Sequence, residues 1–204
     1  KRQIMTYVFT KISGLPENQI MGSGTILDTA RLRYGLSEHF KVAQGSIHAY
    51  VFGEHGDTSF IPWTGAYISG LSTDEYYEEM KAHGKDVKPL DKEAMLEYVQ
   101  KSGGKVIAKK GATFYAVSAT VCQLVGLILA ASDSLATVSS MLHGEYGIED
   151  VCLSTLTLVG PNGTQGKVQM RMNKEEIALL KKSADALKEV ICLLYTSDAA
   201  DDTP

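Results

Sequence analysis

Cysteine is scarce and basic runs are absent in this chain of 204 residues. Its three cysteines, Cys122, Cys152 and Cys192, form no CxxC pair and are too few for a secreted disulfide framework, so a reducing, cytoplasmic setting is expected. A net charge of -4 without a basic run argues against nucleic acid as a partner. The opening residues show neither a signal peptide nor an initiator methionine, and the chain is expected to begin inside a longer protein.

Charge is also absent from residues 111–132, a stretch long enough to span a bilayer. Its polar residues, among them Thr113, Thr120 and Gln123, are spread around all sides of a helix, whereas a lipid-facing segment is more uniformly apolar. The favoured interpretation is a helix buried on most sides in a large core, with no membrane as partner. A membrane span is the weaker alternative.

The local patterns predict a mixture of helices and strands in a chain that is 44% hydrophobic and 22% charged, as globular proteins are. A strand is predicted at residues 20–25, and residues 46–56 are predicted to be a strand followed by a glycine-bounded loop. A hairpin over residues 151–172 is predicted to be joined at "PNG" and "TQG". Helices are predicted at residues 3–14, 26–42, Thr73–His83, Asp91–Lys101, 111–142 and Asn173–Ile191. Because helices and hairpins are grouped rather than alternating, the predicted fold class is α+β.

The last thirteen residues, 192–204, differ in style from the amphipathic helix before them. They read "CLLYTSDAADDTP" and resemble the in-frame translation of a sequencing adapter, so they are treated as a non-native tail. A genuine acidic, disordered tail is the alternative.

One short motif contains candidate functional residues. "LDTAR" places Asp28 and Arg31 three residues apart, on the same face of a helix. Such a pair is usually a surface salt bridge worth less than about 1 kcal/mol. Its context differs, because "GSGT" precedes it and His55 follows the strand that ends in "GEHGDT". A carboxylate that orients a histidine, beside a guanidinium that can grip a carboxylate, suits a small 2-oxo or 2-hydroxy acid.

These segments resemble the lactate/malate dehydrogenase superfamily, and its L-lactate dehydrogenases most closely. "GSGTILDTARLR", "IHAYVFGEHGDTSFIPW", "KGATFYAVSA" and "GEYGIEDVCLSTLTLVGPNG" follow in the family's order from about Ile4 to Ile191. The resemblance implies the family's C-terminal catalytic domain at residues 23–191. Residues 1–22 would then be the last helix and strand of an NAD-binding Rossmann domain, so the chain is interpreted as a catalytic-domain fragment.

The chain departs from the family pattern in what it lacks. The glycine-rich phosphate turn and ribose-binding acid of the nucleotide domain are not found, nor is the mobile loop that carries a further arginine and the main specificity residue. "KRQ" stands where the family has something like "PVD". The polypeptide by itself is therefore expected to have negligible dehydrogenase activity, because nothing in it positions the hydride donor.

The resemblance also implies roles for individual residues. His55 would be the proton donor and acceptor, with Asp28 orienting it and favouring its protonated form. Arg31 would bind the substrate carboxylate, and Thr113 would line the substrate pocket. Ser23 and Val117 would contact the NAD cofactor, and no metal is expected. For Thr113 and Val117, ordinary helix packing is nearly as good an explanation.

Two further cations are implied to be regulatory. Arg33 lies two residues beyond Arg31, and His48 lies seven before His55, so both are expected to face away from the active site. In allosteric bacterial members of the family, the corresponding positions bind fructose 1,6-bisphosphate between subunits of a tetramer. Solvated surface charge is the alternative.

Three functions remain open. The first is an NAD-dependent L-lactate dehydrogenase acting on pyruvate and L-lactate, which Glu54 favours because malate enzymes of this group more often have glycine there. The second is a malate or other L-2-hydroxy acid dehydrogenase. The third is a non-catalytic assembly module.

Overall fold

The computed structural model describes residues 2–201, with side chains described for residues 3–194. The helices are α1 Arg2–Ile12, α2 Ile26–Phe40, α3 Thr73–Ala82, α4 Lys92–Lys110, α5 Tyr115–Leu129 and α6 Lys174–Asp201. The strands are β1 Ile47–His48, β2 Tyr67–Ile68, β3 Leu71–Ser72, β4 Ser134–Ala136, β5 Ser139–His143, β6 Glu149–Ser154, β7 Thr157–Gly160 and β8 Gly163–Lys167.

All the strand pairs are antiparallel and form three small sheets in the described part of the chain: β1-β2-β3, β4-β7-β8 and β5-β6. Helices α1 and α6 pack on the β5-β6 pair, and α5 packs on β7. The predicted α+β class is confirmed.

The segment between β1 and residue 53 runs between two apolar clusters. Ile47, Ala49 and Val51 point into a cluster with α2 and α4, whereas Phe52 points into a second cluster with β5, β6 and α6. The alternation is that of an extended chain, whose successive side chains point to opposite sides. This segment leads directly to His55.

Two hydroxyl groups hold α2 against this segment. The Thr25 hydroxyl donates to the Val51 carbonyl at 2.5 Å, and the Val51 amide donates to the Thr29 hydroxyl at 3.0 Å. Because Thr25 and Thr29 are one turn apart, the carbonyl and the amide of Val51 are both hydrogen-bonded to the same face of α2. The register between α2 and the chain that carries His55 is thereby set.

The predicted helix over residues 111–142 is wrong in its extent and in its burial. α5 ends at Leu129, and β4 and β5 follow, because an apolar run does not by itself distinguish a buried helix from a strand. Only Thr120 and Leu124 of α5 are buried, and Val117, Leu127 and Ile128 are half-buried. Other apolar side chains of α5, such as Val121, Val125 and Leu129, are exposed. A helix that packs along one narrow stripe leaves its remaining faces uncovered. No helix in residues 2–201 is both long and apolar enough to cross a bilayer.

Other boundaries differ from the prediction. The helix predicted to end at Lys101 continues through Gly103 and Gly104 to Lys110, although each glycine destabilises a helix by roughly 0.5–1 kcal/mol relative to alanine. The helix predicted to end at Ile191 continues to Asp201, because neither glycine nor proline interrupts that stretch. The non-native origin of residues 192–204 stays a prediction, and residues 202–204 lie outside the described part.

The strand predictions are correct in part. The hairpin is confirmed for β7 and β8, which turn at residues 161–162, whereas residues 151–154 belong to β6 and pair with β5. The joint predicted at "TQG" is wrong, because residues 164–166 lie within β8. Of the two other predicted strands, residues 20–25 contribute a single bridge from Gly22 to Ser139, and residues 46–56 contribute β1 and bridges at Phe52 and Gly53. These segments are extended but are too irregular to form full ladders.

Lys167 is the one basic residue whose surroundings strongly disfavour its charge among the residues described. Its side chain lines a polar cavity of about 160 Å³ and donates to the hydroxyls of Ser140 and Thr157. Burial lowers the pKa of Lys167 from its ordinary 10.5 to about 8, although the nearby carboxylate of Glu145 partly opposes this.

The titration of Lys167 should make stability depend on pH. Between about pH 8 and pH 10.5 the unfolded chain still holds the proton that the folded protein has lost, so the contribution of Lys167 to stability rises with pH there. Urea unfolding at about pH 8, 9 and 10 should therefore show the wild type gaining free energy of unfolding relative to Lys167→Met. A difference between the wild type and Lys167→Met that stays constant over this pH range would contradict the prediction.

Candidate active site

One buried carboxylate, that of Asp28, connects two other polar groups. Its Oδ2 accepts a hydrogen bond from His55 Nδ1 at 2.5 Å, and its Oδ1 accepts one from Arg31 Nη1 at 3.2 Å. The Asp28 side chain is 6% exposed, whereas those of Arg31 and His55 are 15% and 27% exposed. The carboxylate is thus withdrawn from water while both of its partners reach a cavity, and with Nδ1 engaged, Nε2 of His55 is the nitrogen left for a substrate.

The loop that carries His55 begins at a glycine that no other residue could replace without strain. Gly53 has φ +94°, and a Cβ there would lie 2.8 Å from the hydroxyl oxygen of Ser183. That fully buried hydroxyl accepts a hydrogen bond from the Glu54 amide at 2.8 Å and bonds the Thr58 hydroxyl at 2.9 Å. α6 therefore anchors both sides of the turn on which His55 lies.

A second anchor comes from α4. Gln100 Nε2 donates to the carbonyls of Asp57 and Ser59, at 3.2 and 3.0 Å, and approaches the Ser59 hydroxyl at 3.3 Å. Because the amide also lines the cavity, it connects the α4 wall to the loop that follows His55. The imidazole is thus carried by a loop that is held from two directions.

The cavity has a volume of about 260 Å³ and is built from four parts of the chain. α2 and the His55 loop supply its polar end, and α4 supplies the opposite wall. Thr113, just before α5, and Val117, in its first turn, lie at the far end. The lining residues are Leu27, Asp28, Arg31, His55, Gly56, Asp57, Ser59, Gln100, Gly103, Gly104, Ile107, Thr113 and Val117.

This arrangement can bind a small anion and move a proton. Arg31 presents a guanidinium whose planar fork matches a carboxylate, and His55 presents an imidazole that can donate or accept a proton. Within the described residues there is no group of three acidic, histidine or cysteine side chains that could hold a metal ion. Acid-base chemistry on a carboxylate-bearing compound is what the geometry suits best.

The predicted site residues are only partly brought together. Asp28, Arg31, His55, Thr113 and Val117 line this one cavity. Ser23 is half-buried just before α2 and is not part of the cavity lining.

The two predicted regulatory residues lie elsewhere. Arg33 lines a different cavity, of about 330 Å³, where its Nε donates to the Ala49 carbonyl at 3.1 Å and its guanidinium lies 4.9 Å from the centre of the Tyr50 ring. His48, in β1, is exposed and immediately precedes Ala49 in the chain. Both residues therefore lie outside the active-site cavity and near the same backbone segment.

Sequence reasoning missed the residues that support the site. Gln100 and Ser183 carry no local motif and lie 41 and 125 residues from the loop groups they bind. Gly103 and Gly104, which also line the cavity, lie just beyond the predicted end of α4 at Lys101 and were not predicted as site residues.

Comparison with known proteins agrees with the geometry. Residues 25–195 match the family model described as lactate/malate dehydrogenase, alpha/beta C-terminal domain. The L-lactate dehydrogenase of Acetivibrio thermocellus is 46% identical over 188 residues, which cover 92% of this chain and 58% of that protein. L-lactate dehydrogenase 1 of Clostridium acetobutylicum is 42% identical over 192 residues, which cover 94% of this chain and 60% of that protein.

Solved structures give the same result. The L-lactate dehydrogenase of Clostridium thermocellum superposes with a TM-score of 0.83 at 35% identity, over 93% of this chain and 61% of that one. The minor L-lactate dehydrogenase of Enterococcus mundtii, solved in a ligands-bound form, gives a TM-score of 0.86 at 31% identity, over 94% of this chain and 60% of that one. The chain therefore spans about three fifths of the length of these relatives.

The anchor from α6 can be tested by amide hydrogen exchange. Ser183→Ala removes the acceptor of the Glu54 amide, and because a hydrogen bond contributes about 0.5–1.5 kcal/mol, exchange at Glu54 should become roughly 2- to 12-fold faster. Ser118→Ala, on α5, removes a hydroxyl that bonds only its own helix turn and should leave Glu54 unchanged. Equal Glu54 exchange rates in the wild type and Ser183→Ala would show that the hydroxyl does not hold the loop.

Proposed function

The chain belongs to the lactate/malate dehydrogenase family, and from that premise we propose that it is the substrate-binding part of an NAD-dependent L-lactate dehydrogenase. The observation that carries this proposal is the Asp28 carboxylate, which joins Arg31 and His55 at the wall of one cavity. The reaction would interconvert pyruvate and L-lactate. A cytoplasmic location belongs to the same proposal.

Each of the three residues has a task in this reaction. Arg31 would bind the pyruvate carboxylate through its guanidinium, which Asp28 holds in place from the same helix. His55 would donate the Nε2 proton to the carbonyl oxygen during reduction and take it back during lactate oxidation. Asp28 accepts a hydrogen bond from the Nδ1–H group of His55, which orients the ring and stabilises the imidazolium.

The end of the cavity near α5 suits the flat face of a nicotinamide ring. Val117 gives that end an apolar side chain and Thr113 adds one hydroxyl, while Leu27 and Ile107 add apolar side chains to the rest of the lining. When bound, the dinucleotide supplies or accepts the hydride. Ser23 and Val117 would contact it, and an apolar wall would keep water away from the reacting carbon.

Two other functions are weaker. A malate or other L-2-hydroxy acid dehydrogenase is the first alternative, and lactate is favoured over it because the relatives at 46% and 42% identity are named L-lactate dehydrogenases. A non-catalytic assembly module would not require a buried carboxylate that bonds two cavity-lining residues, as Asp28 does. We therefore keep lactate as the proposed product.

We also propose that Arg33 and His48 bind the phosphates of fructose 1,6-bisphosphate between subunits of a tetramer. In support, Arg33 bonds the carbonyl of Ala49, which directly follows His48, and the cavity it lines is separate from the active site. A bisphosphate there would offset repulsion between cations of two subunits and so favour the assembled state.

The catalytic roles can be tested in a hybrid enzyme, in which residues 1–191 replace the matching region of the Acetivibrio thermocellus L-lactate dehydrogenase. The hybrid should oxidise NADH with pyruvate. His55→Gln should lower kcat by roughly 100- to 10,000-fold because it removes the proton donor, whereas Arg31→Lys should raise the KM for pyruvate roughly tenfold or more, because a point charge cannot replace the fork.

The controls for these substitutions are His83→Gln and Arg171→Lys, which change exposed residues outside the cavity lining and should leave both constants unchanged. A hybrid that folds and binds NADH but does not reduce pyruvate would refute the proposed function. An unchanged KM in Arg31→Lys would refute the role of the carboxylate anchor alone.

Activation by fructose 1,6-bisphosphate is the second prediction for the hybrid. The effector should lower the pyruvate concentration at half-saturation, more strongly at about pH 6 than at about pH 7.5, because a histidine side chain gains a proton in that range. Arg33→Gln and His48→Asn should each reduce the effect and leave turnover at saturating pyruvate unchanged. Saturation curves that superimpose with and without effector at both pH values would exclude this regulation.

A further inference from the structure

The polar cavity of about 160 Å³ that contains Lys167 lies between β5, β7 and β8 and shares no lining residue with the active-site cavity. Lys167 is the last residue of β8, and it lines this cavity together with Ser140 of β5 and Thr157 of β7. Both hydroxyl residues are buried, whereas Lys167 is half-buried. The proposed dehydrogenase reaction uses none of these groups.

The amine of Lys167 bonds only neutral oxygen atoms. Its Nζ donates to the Ser140 hydroxyl and to the Thr157 hydroxyl, the latter at 3.3 Å. Across residues 3–194, no carboxylate oxygen lies within 4 Å of this nitrogen. The side chain therefore sits in the cavity without an ion-pair partner.

The charged groups that face Lys167 are engaged elsewhere. Glu17 and Glu145 line the same cavity, but the Glu17 Oε1 lies 2.5 Å from the His143 Nε2. Glu145 Oε2 accepts a hydrogen bond from the His143 amide at 2.6 Å. Cys152 of β6 also faces the amine, and burial raises the pKa of its thiol to about 12, so it adds no charge at neutral pH. The two carboxylates thus act on Lys167 only from a distance.

An ammonium group in this position is poorly stabilised, because burial removes water and no carboxylate replaces it. Burial lowers the pKa of Lys167 to about 8, and the attraction of Glu145 opposes this only in part. At pH 7.5 roughly a quarter of such amines are uncharged, compared with about 0.1% for an ordinary lysine. An uncharged lysine amine beside an open cavity is a nucleophile.

The carboxylates of Glu17 and Glu145 restrict which electrophile suits this amine. They disfavour a product that carries negative charge, such as the carbamate that carbon dioxide forms, and they repel phosphate-activated donors. An amide is uncharged, and its carbonyl oxygen can accept hydrogen bonds from the hydroxyls of Ser140 and Thr157. A cavity of this volume admits a small acyl group. An acyl thioester that is uncharged around its reacting carbonyl meets these conditions.

We propose that Lys167 is an acylation site that takes small acyl groups, such as acetyl, from thioesters. The Nζ lone pair attacks the thioester carbonyl carbon, and the new N–C bond replaces the C–S bond. The proton that the nitrogen loses leaves with the sulfur as a free thiol. The product is an uncharged amide, so the unpaired charge is removed from the cavity. This site is independent of the proposed dehydrogenase function, because the two cavities share no residue.

The test incubates the folded chain with S-acetyl-N-acetylcysteamine, an uncharged thioester, and follows each lysine by peptide mass spectrometry. At pH 7.5, Lys167 should be acetylated roughly tenfold faster than the exposed Lys85 and Lys109, because its larger free-amine fraction outweighs the lower nucleophilicity of a weaker base. The rate at Lys167 should level off above about pH 8. In the chain unfolded by urea the three rates should become similar, because the cavity is lost.

Substitutions of the hydroxyl partners test the role of the cavity. Ser140→Asp should slow the acetylation of Lys167 by roughly tenfold or more, because a carboxylate beside Nζ keeps the proton on the amine. Thr157→Asp tests the same effect from the other partner if Ser140→Asp does not fold. Ser118→Asp changes an exposed residue of α5 and should leave the rate unchanged.

Three results would overturn the inference. The first is acetylation of Lys167 in the folded chain that is no faster than that of Lys85 and Lys109. The second is an acetyl group on Ser140 instead of Lys167, which would make the hydroxyl the nucleophile. The third is an unchanged rate at Lys167 in a folded Ser140→Asp or Thr157→Asp variant.

Discussion

The candidate site depends on how α2 is held against one extended segment. Val51 donates to Thr29 and accepts from Thr25, so a single residue of the extended chain is bound by two hydroxyls one turn apart. Asp28 lies on the same helix between them, and His55 follows Val51 by four residues. A slip of one residue would leave buried backbone groups unpaired and would separate the carboxylate from the ring. The hydrogen bonds that pair these buried backbone groups therefore also fix the geometry of the site.

The cavity beside this contact has a polar end and an apolar end. At one end the polar groups are buried, mutually bonded and anchored from α4 and α6 through Gln100 and Ser183. At the other end the α4 wall is bare backbone beside aliphatic side chains. Reacting groups need a narrow range of positions, and the hydrogen bonds at the polar end restrict Asp28, Arg31 and His55 to such a range.

The sequence pattern and the structure disagree most about which apolar side chains are buried. The apolar residues of α5 were expected to be covered, yet Val121, Val125 and Leu129 are exposed, and α1 also exposes Met5 and Phe9. Periodicity identifies which residues share a helix face, but the covering of that face depends on which other element lies against it. The same limitation extended the predicted helix through β4 and β5, whose uncharged residues fit a buried helix equally well.

The sequence by itself determined the α+β class, the lengths of α1, α2 and α3 to within about two residues, and the two short motifs that carry Asp28, Arg31 and His55. It could do so because helical spacing, capping and turn glycines act over a few residues, and because "LDTAR" and "GEHGDT" are each continuous. Only the tertiary structure decided that Gln100 and Ser183 anchor the loop, and that Gly103 and Gly104 face a cavity rather than end a helix. Those contacts join residues that are far apart in the chain, and their positions follow from how α4 and α6 pack, which no local pattern encodes.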